Sequence, residues 1–106
     1  MKRIEKKVLP EYYVAARRRE KTFELRKDDS CYEVGDILVL REWDGEKYTG
    51  KKFSRVITYI LRGVPEYGLM DGYCILGIQP PGWNDPELHP SEFCVLDNVG
   101  DEDGPG

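Results

Sequence analysis

KTFELR, residues 21–26, alternates apolar and polar side chains with the period of a β-strand. In an extended chain Phe23 and Leu25 share one face while Thr22, Glu24 and Arg26 share the other, and the simplest assignment turns the apolar pair toward a core. Neighbours on one strand face stand about 6.5 to 7 Å apart. Glu24 and Arg26 can therefore hold each other or grip opposite edges of one small ligand, and Lys21 at the strand entrance reaches the same place. The segment is either a solvated strand face or a recognition site.

Working outward, KRIEKKVL (residues 2–9) sets β-branched Ile4 and Val8 between polar positions and predicts an edge strand. Pro10 suits the first helical position and Glu11 complements the positive end of the helix dipole, so a helix is predicted from Pro10 to about Arg19. Tyr12, Tyr13 and Ala16 give it an apolar stripe. Arg17, Arg18 and Arg19 fall at its C-terminal end, where the dipole favours cations, and they also lie next to the polar face of KTFELR. Downstream, KDDS (27–30) is turn material, the apolar run Ile37 to Leu40 reads as a buried strand, and Asp44-Gly45 marks a hairpin. Thr49-Gly50 is expected to break the returning ladder as a bulge or second turn. Phe53 to Leu61 predicts the longest central strand, and Tyr73 to Ile78 the last one. Gly63, Pro65 and Gly68 punctuate an irregular connection around Glu66 and Tyr67.

With 106 residues, 40% hydrophobic and 34% charged, the chain has room for one modest core. The expected architecture is α+β: a small mixed β-barrel of five to six strands over residues 1–79, with one helix inserted after the first strand. Residues 80–106 are read as a Pro-rich, acidic extension, partly disordered, in which Ser91 to Val99 can pack Phe93, Val95 and Leu96 back on the body. No apolar run is long enough for a membrane span and the N-terminus lacks the apolar centre of a signal peptide, so a cytoplasmic monomer without membrane contact is expected. Cys31, Cys74 and Cys94 have no CxxC spacing and share the chain with a single histidine, His89. They are read as reduced structural thiols, with no metal and no cofactor.

Charge is divided unevenly. All 16 lysines and arginines lie in residues 1–62 beside 11 acids, leaving that part at +5, whereas residues 63–106 carry nine acids and a charge of −9. The first part can attract an anion, and such asymmetry is a hint of nucleic-acid contact or of a solubilising acidic tail.

From Pro10 through Ile78 the chain resembles the ASCH superfamily, whose fold is the PUA-like β-barrel of RNA-binding and RNA-modifying proteins. That superfamily's pattern is close to GxKxxExR, and this chain reads RxKxxExR at Arg19, Lys21, Glu24 and Arg26. More narrowly it is similar to small bacterial and phage ASCH proteins through LPEYY (9–13), KTFELRKDD (21–29), VGDILVLREWD (34–44), YTG (48–50), ITYIL (57–61) and GYCILGI (72–78). It departs from the pattern twice: the glycine at the helix end is Arg19, and the histidine usual in the first strand of the narrower family is Ile4. Any left-handed cap must therefore be made differently or at another residue.

Three functions follow as expectations. The first is a binding module for RNA or a nucleotide in a basic cleft between helix and barrel, with Arg17, Arg18, Lys21 and Arg26 on phosphate, Thr22 and Glu24 beside them, Glu24 on a base edge or ribose hydroxyl, and Tyr67 or Trp43 stacking on a base. Tyr59 is read instead as a packing residue. The second follows from the resemblance, which implies an amidohydrolase acting on N4-acetylcytidine or a related acylated nucleoside with a Lys, Thr and Glu set. Lys21 matches the lysine, Glu24 occupies the threonine position, Thr22 lies one residue from Lys21, and Glu66 is a candidate acid. As an enzyme it would use Lys21 and Glu24 as catalytic groups, Lys21 acting in its neutral form. The third is a protein-interaction or regulatory module using the acidic tail, whose prolines are not spaced as PxxP.

Overall fold

The computed structural model describes residues 1–84. The elements run β1 (Arg3–Val8), α1 (Pro10–Arg17), β2 (Phe23–Lys27), β3 (Ile37–Trp43), β4 (Tyr48–Leu61), a 3-10 turn at Pro65–Tyr67, and β5 (Tyr73–Gln79). All five strands form one sheet in the order β1-β3-β4-β5-β2, so β4 is central, as its β-branched and aromatic content predicts. The ladder is open, and β1 and β2 are its edges. Readings of the tail beyond residue 84, including His89, Cys94 and the packing of Phe93, Val95 and Leu96, lie outside the described residues.

Most neighbours are antiparallel, but β1 runs parallel to β3, with α1 and β2 both inside the crossover. A single helix thus suffices for the parallel pair. The strand β4 continues through Thr49 and Gly50, and the expected break in the ladder is there as a bulge rather than a second turn. The register against β3 shifts between Arg41 and Trp43, and Gly50 absorbs the irregularity at a φ of +98°.

The core lies on one face of the sheet under α1. Tyr13 and Ala16, one helical turn apart, are buried against Leu38, Leu40, Phe53 and Ile57, and the Tyr13 ring meets that of Phe53 edge-on at 5.0 Å. Cys74, Leu76 and Ile78 complete it from β5. Burial pushes the Cys74 thiol up, in keeping with a packing role, whereas Cys31 is exposed and departs from the expected structural thiol. Two buried ions organise the periphery. Arg55 is 3% exposed; its guanidinium donates to the carbonyls of Ala16 and Arg17 at 3.3 Å and stacks 4.3 Å from the Phe53 ring, filling the carbonyl end of α1. Asp36, at the entry to β3, accepts the backbone N–H groups of Lys2 and Glu33 and contacts the Lys2 ammonium at 2.8 Å. Burial alone would raise its carboxyl, but those hydrogen bonds outweigh burial and hold it below the usual aspartate range. Its contribution is complete above the ordinary aspartate pKa and fades only as pH falls through the lowered value.

The helix ends two residues earlier than its composition predicts. Arg19 N–H donates to the Ala16 carbonyl and Glu20 N–H to that of Ala15, the paired bonds of a Schellman motif, and Arg19 itself takes the left-handed conformation at φ +66°. The cap that the sequence leaves unassigned is therefore made at the same residue, without glycine. A left-handed L-residue costs about 1 kcal/mol relative to glycine. Arg19→Gly should accordingly raise the unfolding free energy by up to about 1 kcal/mol in urea titrations.

Candidate binding cleft between the sheet edges

Lys21 enters β2 from the Arg19 turn, and β2 then pairs with β5 through Glu24↔Leu76 and Arg26↔Cys74. This register decides the strand's faces. Because Cys74 and Leu76 point into the core, Glu24 and Arg26 point inward beside them, and Phe23 and Leu25 point out. The simple pattern predicts the reverse, and the difference is large: Glu24 is 3% exposed, Phe23 46% and Leu25 57%. The alternation is as read, while its phase is inverted. The inner face of an edge strand here looks into a polar gap rather than a sealed core, so its charged residues are the ones enclosed.

Two cations hold the buried carboxylate. Lys21 Nζ donates to Glu24 Oε2 and, at 2.6 Å, to the Phe23 carbonyl. Arg26 Nε donates to Glu24 Oε1 at 3.0 Å, while Arg26 Nη2 lies 2.9 Å from the same oxygen and donates to the Lys7 carbonyl at 2.9 Å. That last bond crosses from β2 to β1, the opposite edge of the sheet. The sheet therefore curls until a single arginine side chain spans its open seam.

The seam widens into a cleft of about 530 Å³. Lys21, Glu24 and Arg26 give it a polar floor with one net positive charge. Leu9, Tyr12, Phe23 and Leu25 give it apolar walls, all of them about half exposed. Lys7 and Val8 line the β1 side, and the Lys7 ammonium sits 3.9 Å over the Trp43 ring. Backbone groups contribute as well. Ile78 N–H donates to the Thr22 carbonyl and Asp28 N–H to that of Gly72, so by antiparallel alternation the N–H and C=O of Phe23, Leu25 and Lys27 turn toward the free edge.

Of the residues singled out from sequence, Lys21, Glu24 and Arg26 converge on this cleft. The others do not line it. Thr22 is exposed, with its carbonyl in the β5 ladder; Arg17 is the last residue of α1, and Arg18 caps it on the surface. Tyr67 is 83% exposed in the 3-10 turn, beside Glu66. Trp43 packs against Tyr48 and Lys7 rather than offering a free face, and Tyr59, read as a packing residue, is 64% exposed. From its pattern Leu9 was legible only as the end of the predicted edge strand and Tyr12 as a stripe residue; their role as walls depends on the seam, which no local pattern reveals. Among the described residues no group of His, Cys, Asp and Glu is arranged to hold a metal ion.

Residues 5–78 match the model of a family described as a domain of unknown function, DUF3850. The chain belongs to that family. Every residue that lines the cleft lies inside the DUF3850 match, as do all five strands apart from the first two residues of β1 and Gln79. No curated protein matches the chain.

The inverted phase has a direct test. Glu24→Ala leaves two partly enclosed cations without their counter-charge and should cost about 2 to 3 kcal/mol, whereas Leu25→Ser, on the exposed face, should cost less than about 0.5 kcal/mol. Urea unfolding of the two variants beside the wild type checks the order.

Proposed function

We propose that this DUF3850 chain is an ASCH-type, PUA-like fold that binds single-stranded RNA or a nucleotide in the cleft between its sheet edges. One observation carries the reading: an acid and two cations meet at the floor of an open cleft whose walls are apolar and aromatic. A nucleotide needs that combination. Its phosphate seeks cations, the polar edges of its base seek fixed donors and acceptors, and its flat faces seek rings such as Tyr12 and Phe23. Glu24 is held by Lys21 and Arg26, so its orientation is set before a ligand arrives. The first turn of α1 opens on the same cleft at Leu9 and Tyr12, and its N-cap has no side-chain cap, which favours a phosphate there although Glu11 opposes it. A curled sheet whose two edges are bridged by one side chain supports the PUA-like assignment, the seam being where the barrel would close.

The hydrogen bond between Lys21 and Glu24 within the cleft favours a second reading. An amidohydrolase would use the pair to move the proton exchanged when water cleaves N4-acetylcytidine to cytidine and acetate. Release of cytidine that disappears in Lys21→Ala would favour the enzyme over the binder.

For the binding reading, fluorescein-labelled single-stranded RNA should bind at about 50 mM salt and weaken about seven-fold at 200 mM if two phosphates are neutralised. Lys21→Gln should weaken binding about ten-fold at the lower salt. No binding at 50 mM contradicts the proposal.

A further inference from the structure

We infer a second nucleobase site on the opposite face of the sheet: a slot over Gly77, flanked by Phe23 and Tyr59, that stacks the base following the one held in the cleft. The inference rests on the cleft reading and extends it around the edge of β2.

Register places the three residues in line. Phe23 pairs with Gly77 across β2 and β5, and Gly77 pairs with Tyr59 across β5 and β4. Paired residues share a face, and with Leu76 and Ile78 in the core this is the outer one. Two aromatic side chains thus stand on strands two spacings apart, about 9.6 Å, with no side chain between them. A base about 3.4 Å thick needs about 7 Å between flanking rings, less than the spacing of these two strands.

Gly77 lies opposite the register shift between Ile57 and Tyr59 in β4, where the Thr58 hydroxyl donates to its carbonyl at 3.4 Å. Of the glycines at turns and the β4 bulge, Gly35, Gly45, Gly50, Gly63, Gly68 and Gly72 all have φ between +71° and +109°, whereas Gly77 lies in the middle of a strand without a positive φ. A Cβ at Gly77 would sit 3.4 Å from the Tyr59 Cβ and 3.5 Å from Thr58 Oγ1, in ordinary contact on the Tyr59 side of the slot. A glycine opposite that irregularity leaves the outer face between Phe23 and Tyr59 without a side chain, where a planar group can approach the backbone closely.

Two further features select a nucleic-acid strand as the occupant. Phe23 belongs to both surfaces: it walls the cleft and bounds the slot, so a chain leaving the cleft over its ring arrives at Gly77. The charge there is complementary, since the Lys21 ammonium lies 5.0 Å from the Phe23 ring centre and can meet a phosphate between the two bases. Stacking on exposed rings tolerates any base, so the slot adds affinity and strand length rather than sequence choice.

The test uses fluorescein-labelled oligouridylates of increasing length with the full chain. Wild-type affinity should rise sharply when a second base becomes available to the slot. Tyr59→Ala and Gly77→Val should each remove about ten-fold of that gain, Tyr59→Phe should retain it, and circular dichroism should show all three variants folded. Equal affinity of Tyr59→Ala, Gly77→Val and wild type for every length, with Lys21→Gln still weakened, overturns the slot and leaves the cleft standing. A wild type that binds no oligonucleotide overturns both. Self-association without RNA that Tyr59→Ala abolishes assigns the face to a second copy and also overturns the slot.

Discussion

A carboxylate enclosed to 3% exposure and gripped from both sides by a lysine and an arginine is the constraint on which this structure turns. Taking an ionised carboxylate out of water costs several kcal/mol, and only close, hydrogen-bonded cations repay it. Lys21, just ahead of β2, and Arg26 within it do so beside Glu24, which the register of β2 against β5 turns inward. That register sets the phase of β2. It turns Phe23 and Leu25 to the outside, and it aims the Arg26 guanidinium across the open seam at the Lys7 carbonyl.

The seam has consequences for both stability and function. Unpaired strand edges invite association with other chains, and a protein must cover, twist or charge them. Here the edges face each other across a charged floor, with the start of α1 over one end. Glu24 and Arg26, whose positions would join the core of a sealed barrel, instead floor a cleft with half-exposed apolar walls, the arrangement on which the proposed binding rests. The same inversion leaves an apolar outer surface that reaches Tyr59 through Gly77.

Much of the fold was legible in the sequence because its signals are local. Pro10 and Glu11 marked the helix start, Asp44-Gly45 the hairpin, and the β-branched runs marked β3, β4 and β5. The convergence was legible too: residues two apart on a strand share a face, which groups Glu24 with Arg26, and Lys21 reaches them from the strand entrance. Its phase was not. Whether Phe23 or Glu24 is enclosed depends on which side of β5 holds Cys74 and Leu76, a pairing about fifty residues away in sequence. For the same reason nothing in the strand pattern marks Arg55, whose burial depends on two backbone carbonyls that α1 brings to it. Tyr59 reads as core until the register places it opposite a glycine on the outer face. Arg19 is a different case: the bonds that close the helix force its left-handed conformation, and the backbone accepts a residue that intrinsic preference disfavours.

The central claim, that Glu24 faces inward and is paired there, is tested most directly by a double-mutant cycle. Glu24→Gln, Arg26→Gln and the double variant would be compared with wild type by urea unfolding. An enclosed pair predicts a coupling free energy of about 2 kcal/mol. A coupling below about 0.5 kcal/mol, the value of a solvated surface pair, would contradict the account.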